Sequence, residues 1–217
     1  MTIPVHADPV PRADRAAAVE RATVLNRVTL SYNVVEAVIA LAVGFAAGSI
    51  SLIGFGLDSV VEVSASLIVT WRLAAERRGG CTQDTDRRAT QAIAISFFAL
   101  AGYVGLDAIS RLVNGDRPDA TLVGIVLTAV SLTVMPFLAR AKRRVAPALG
   151  SRAQEAEADQ TRLCAYMSAV VLIGLVANSA LGWWWADPLA AIGIATLALF
   201  EAVRTWRADS LADTCCA

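Results

Sequence analysis

The stretch GLDSVVEVSAS carries two carboxylates, Asp58 and Glu62, four residues apart. On a helix this spacing stacks them on one face, one turn above the other. Their neighbours are apolar, and the nearest basic residue along the chain is Arg72. An acid in the middle of a bilayer costs a few kcal/mol or more, so such a residue marks a functional site by default. Two like charges on one face also oppose each other, so either one is neutral or a cation lies between them. A divalent metal satisfies both carboxylates at once, and zinc, manganese and iron all accept such ligands. Two neutral carboxylic acids bonded to neighbouring helices are the alternative.

Either reading requires a membrane around the pair. Of the 217 residues, 56% are hydrophobic and only 18% charged, with a mean hydropathy of +0.56. A soluble domain carries about a quarter charged residues. The apolar residues fall into six runs, each close to the roughly 20 residues that cross a bilayer as a helix. The expected spans are Val28–Ala47, Ile50–Leu73, Ala92–Leu112, Leu122–Leu138, Leu163–Gly182 and Pro188–Val203. The fold class is therefore an all-α membrane protein, a six-helix transmembrane bundle. Residues 1–24 read as a cytoplasmic tail, 25–208 as the transmembrane domain and 209–217 as a short second tail.

Net charge is zero, yet all the basic residues except Arg111 and Arg117 lie on one side of these spans. The positive-inside rule then places both termini in the cytoplasm. Trp71 and the Trp183–Trp185 run suit anchors at opposite interfaces. Basic segments beside every inner helix end fit topology better than nucleic-acid binding. The N-terminal stretch lacks the apolar core of a signal peptide; from Arg12 onward it suits a helix on the inner surface. The segment AERRGGCTQDTDRRAT reads as an exposed polar loop. Cys81, Cys215 and Cys216 fall on the reducing side. Cys215 and Cys216 suit metal binding or lipid attachment in principle, but an incidental thiol pair accounts for them.

Other polar residues enter the spans. Asn33 and Glu36 lie in the first, and Asp107 in the third, four residues before Arg111. Gln160 and Cys164 open the fifth, preceded by Glu155, Glu157 and Asp159, with Asn178 further on. Asp107 suits an ion pair with Arg111. Asn33 and Asn178 suit hydrogen bonds between helices. Asp187, just before Pro188, suits the cap of the sixth helix. Glu155 and Asp159 are four apart and suit a solvated face, or entry ligands.

From about Val28 to Arg207 the chain resembles the cation diffusion facilitator (cation efflux) family of divalent-metal/proton antiporters. LDSVVEVSAS is similar to the D-x-x-x-D motif of its second helix, so the resemblance puts Asp58 and Glu62 on two metal-ligand positions. GSRAQEAEADQTRLCAYMSAVVLIGL and GWWWADPLAAIGIA are similar to the fifth and sixth helices, where the family has H-x-x-x-D. Anchoring on Ser168 and Gly174 puts Gln160 on the histidine and Cys164 on the aspartate. VGIVLTAVSLTVM with the following KRR resembles the fourth helix and its basic exit. An amide replaces the histidine, and a thiol, which favours softer metals, replaces the aspartate. The cytoplasmic domain that normally follows the sixth helix is missing from this sequence, as in the vertebrate transmembrane zinc-efflux proteins.

The resemblance implies a proton-coupled exporter of divalent metal, not an enzyme, in a bacterial-type inner membrane. Zinc is the first expected cargo, with cadmium, iron, cobalt and manganese as others; no bound cofactor is implied. Asp58, Glu62, Gln160 and Cys164 are the expected metal ligands, with Asp159, Glu155, Asn33 and Glu36 as accessory or entry positions. The expected partners are the lipid bilayer, the metal ion, protons and a second copy of the chain. Two rivals remain: a metal-binding membrane protein that senses or modulates a partner, and a metal-free scaffold with neutral acids. Counted from the outer helix ends, Glu62 lies about 18 Å deep and Cys164 about 27 Å, an offset the fold must absorb.

Overall fold

Each apolar run has to satisfy its own backbone hydrogen bonds in hydrocarbon, which leaves helices as the spanning structures. A computed structural model describes residues 12–77, 83–119, 121–149 and 152–209. They form α1 (Arg12–Ala47), α2 (Ile50–Arg77), α3 (Gln83–Asn114), α4 (Leu122–Leu149), α5 (Arg152–Leu181) and α6 (Ala186–Asp209). All six are long and apolar enough to cross a membrane, and no strand occurs among the described residues. The expected all-α six-helix bundle is therefore what forms.

The helices outrun the expected spans, mainly at one end of the bundle. The surface helix expected from Arg12 is the first part of α1. The polar segment expected as a loop is mostly the end of α2 and the start of α3, with residues 78–82 outside the described set. Hydropathy marks where lipid begins and ends. Flanking Ala, Arg, Glu and Gln are strong helix formers, so the helix continues beyond it.

The bundle is apolar on its exposed faces, and its interior combines an apolar core around Phe55, Phe97, Met135 and Met167 with buried polar stripes. Val24, Val28, Val35, Val38 and Phe45 line the exposed side of α1, as a lipid-facing surface requires. Inside, small residues let helices approach closely. A Cβ on Gly44 would stand 2.9 Å from Ile53, and one on Gly174 would stand 2.7 Å from Ala190. These contacts draw α1 to α2 and α5 to α6. α2 is the central helix, packed against α1, α3, α5 and α6. Some buried hydroxyls fold back onto the carbonyl four residues earlier, as Thr29 and Ser168 do, which satisfies them within their own helix.

At the opposite end from the termini, α1 and α5 stop on left-handed glycines, Gly48 (φ 63°) and Gly182 (φ 67°). The Ser49 amide then reaches back to the Gly44 carbonyl at 3.0 Å, closing the helix end. The next helix is capped from a distance. Asp187 accepts from the Ser49 and Ser51 hydroxyls, both at 2.5 Å, and from the Ile50 amide at 3.0 Å. The expectation that Asp187 caps its own helix is thus corrected. It lies in the first turn of α6 but serves the N-terminus of α2, whose unpaired amides are otherwise buried. Asn178 likewise bonds the Pro118 carbonyl in the α3–α4 connection at 3.1 Å, rather than a neighbouring helix.

Candidate metal-translocation site

Three polar stripes at helical spacing face one another inside the bundle. α1 contributes Asn26, Thr29, Asn33 and Glu36; α2 contributes Asp58, Glu62 and Ser66; α5 contributes Glu157, Thr161, Cys164 and Ser168. All of these side chains are buried. Asp58 and Glu62 thus sit on the inward face of the central helix, as their spacing predicts.

Glu36 crosses from α1 to meet them. Ser59 Oγ donates to its Oε2 at 2.9 Å, Ser131 of α4 donates to its Oε1, and Cys164 Sγ stands 3.9 Å from Oε2. Tyr32 donates to Ser131 at 3.2 Å and so extends this set. Cys164 also neighbours Asp58 and Glu62, which places the thiol among three carboxylates from two helices. One turn along, Thr161 Oγ1 donates to Glu62 Oε1 at 2.6 Å. The offset in depth is thereby absorbed. At the end opposite the termini, α5 runs on past the buried start of α2 into an exposed last turn, Ser179–Leu181, so Thr161 and Cys164 come level with Glu62 and Asp58.

Several buried polar atoms in this region have no partner: Asp58 Oδ1, Glu62 Oε2, Gln160 Nε2 and both amide atoms of Asn33. Asn33 lies beside the Glu62 carboxylate without a bond of good geometry. Buried polar groups left unpaired cost about 1–3 kcal/mol each, so a run of them is not what a structural core selects. Among the described residues, no three His, Cys, Asp or Glu side chains converge closely enough to hold a metal ion. The carboxylates are tied instead to hydroxyls, Glu36 to Ser59 and Ser131, and Glu62 to Thr161. Coordination by Asp58, Glu62, Gln160 and Cys164 together therefore requires side chains or helices to shift.

A second buried network adjoins the first on the side of the termini. Lys142 of α4, wholly buried, donates to Glu157 Oε1 at 2.9 Å and to Thr161 Oγ1 at 3.0 Å. Ser66 donates to the same Glu157 oxygen at 2.8 Å, and Asn26 reaches the Ser66 carbonyl at 2.8 Å and Thr70 at 2.7 Å. Lys142 reads in the sequence as part of a basic exit from the membrane; the fold turns it inward instead. It stands one hydroxyl away from Glu62, through Thr161, so a cation from another helix supplies what α2 lacks.

The remaining expectations divide. Asp107 pairs with Arg111 at 2.9 Å as expected, and Arg111 also bonds the Gly48 carbonyl at 2.8 Å. Asp159 is held by Arg143 and by Arg204, the latter at 2.5 Å, so it joins α4, α5 and α6. The Glu155 side chain, Cys81, Cys215 and Cys216 lie outside the described residues. Residue type does not single out Lys142, Thr161, Ser59 and Ser131, and it marks Glu157 only as one acid among several. The signal that finds them is the stripe itself, since Glu157, Thr161, Cys164 and Ser168 fall on one face of α5.

A bundle of six membrane-spanning helices with acids buried on its central helix defines a class, the multi-pass ion-handling membrane proteins. The comparisons narrow it. The cation efflux transmembrane domain matches residues 89–211, more than half of the chain, and the chain belongs to the cation efflux family. It is 29% identical over 166 residues to the cation-efflux pump FieF of Cronobacter sakazakii, covering 72% of this chain and 54% of that protein. Over 158 residues it is 28% identical to an uncharacterized transporter of Synechocystis sp., covering 68% and 49%. FieF of Shewanella oneidensis is 32% identical over 100 residues, 46% of this chain and 32% of that protein. The chain thus spans about half the length of the curated relatives it matches. It is a multi-pass protein of the cell membrane.

Proposed function

We propose that the chain exports a divalent metal cation, zinc in the first place, from the cytoplasm in exchange for protons. The observation that carries this reading is the set of unpartnered buried atoms on Asp58, Glu62, Gln160 and Asn33, beside the thiol of Cys164 and the carboxylate of Glu36. Membership of the cation efflux family supports it. Asp58 and Glu62 are the principal ligands, Cys164 the soft one, and Gln160 completes the shell. Glu36 and Asn33 border the site from α1 and enter the shell as the helices close on the ion. Zinc accepts such a mixture of carboxylate, thiolate and neutral donors in tetrahedral geometry.

Proton exchange follows from linkage, because carboxyl and thiol groups lose protons to bind metal and regain them on release. Rocking of helix groups about the buried site would expose it to each side in turn. The excess of basic residues at the terminal end of the bundle supports a cytoplasmic location for that end. The test is zinc-driven proton flux in proteoliposomes holding the full chain. Glu62→Gln keeps shape and removes the charge, so flux should fall at least roughly tenfold, the worth of one charged ligand contact, while the protein still inserts and purifies. Flux that survives Glu62→Gln overturns this reading.

A further inference from the structure

Lys142 is the only basic side chain buried among the described residues, and its position fixes the orientation of Thr161. A threonine hydroxyl has one hydrogen to donate and can also accept, whereas an ammonium only donates. Lys142 Nζ donates into Thr161 Oγ1 at 3.0 Å. The threonine hydrogen therefore has two acceptors left, Glu62 Oε1 at 2.6 Å and the Glu157 carbonyl at 3.0 Å. The shorter contact is the one to Glu62. Glu157, which bonds Lys142 at 2.9 Å and Ser66 at 2.8 Å, holds the ammonium in place. One oxygen of Glu62 is thus engaged by Thr161 while the other, Oε2, has no partner and stays available.

We infer that Lys142, Glu157 and Thr161 form a positioning relay that presents Glu62 Oε2 to the transported cation. The inference rests on the transport reading above. The relay joins α4 and α5 to the acid of α2, and it continues toward the terminal end of the bundle through Ser66, Asn26 and Thr70. Lys142 and Glu157 are positioning residues that act through Thr161; neither is a metal ligand.

The test is zinc uptake by the full chain in proteoliposomes, read as apparent KM and maximal rate. Thr161→Val keeps the shape and removes the hydroxyl; it should raise the KM for zinc roughly tenfold, the value of one hydrogen bond to a charged group, with the maximal rate little changed. Thr161→Ser restores the hydroxyl and should restore the KM. The neutral pair K142Q/E157Q should raise the KM by a similar factor, and adding Thr161→Val to it should cost nothing further. An unchanged KM in Thr161→Val, or KM effects that multiply in the combined variant, overturns the relay. Glu62→Gln in the same assay separates the two failures: lost flux there with a normal KM in Thr161→Val sinks the relay alone, whereas retained flux sinks the transport reading.

Discussion

Cys164 distinguishes metal ligation from simple packing most directly, because its thiol is wholly buried and stands 3.9 Å from Glu36 Oε2. A buried cysteine is often only a small apolar residue, and then Cys164→Ala leaves metal handling intact. As a ligand, the sulfur favours softer ions. Cadmium should then compete well with zinc uptake and manganese poorly, and Cys164→Ser should lower the cadmium-to-zinc uptake ratio roughly tenfold, the equivalent of one charged contact. A ratio unchanged in both the Ala and Ser variants removes the thiol from the site. Restoring an oxygen ligand with Cys164→Asp, together with Gln160→His, should keep zinc transport while lowering cadmium relative to manganese. At this scale the sequence spoke clearly for Asp58 and Glu62, since charge within an apolar run needs no fold to be noticed. It was silent on Ser59, Ser131 and Thr161, because hydroxyls are common in membrane helices and acquire meaning only from what they touch.

Helix ends behave differently from helix middles. The middles are legible as apolar runs, while the ends extend further than hydropathy indicates, because polar helix formers such as those at the end of α2 carry no hydropathy signal. Asp187 illustrates the limit. Beside Pro188 it has the local pattern of a helix cap, and only the three-dimensional arrangement assigns it to α2. Asp187→Ala should strand two serine hydroxyls and the Ile50 amide, at a cost of about 1–3 kcal/mol. Thermal unfolding in detergent should show a loss of several degrees, with a smaller loss for Asp187→Asn, which keeps one acceptor oxygen. An unchanged midpoint in Asp187→Ala would show that the α2 end finds other partners. Lys142 follows a related rule: a basic residue near a span end has the pattern of a solvated one, and only the packing of α4 on α5 buries it against Glu157 and Thr161.

At the level of the whole molecule, the class of fold followed from the number and length of apolar runs, but the pairing of helices did not. α3 lies against α6 although many residues separate them, and the sequence contains no periodic hint of that partnership. The orientation of the bundle is open to direct measurement. A membrane-impermeant maleimide added to intact cells should leave Cys215 and Cys216 unmodified, whereas labelling of an intact chain from outside would invert the topology. The bond from Asp187 to the beginning of α2 also bears on biosynthesis. α2 enters the bilayer early, with Ile50, Ser51 and Ser49 lacking the carboxylate that serves them in the finished protein. That carboxylate lies 137 residues beyond Ile50, at the start of the last helix. The N-terminus of the acid-bearing central helix therefore stays uncapped until the final span has been made, although α1 already packs against the rest of that helix.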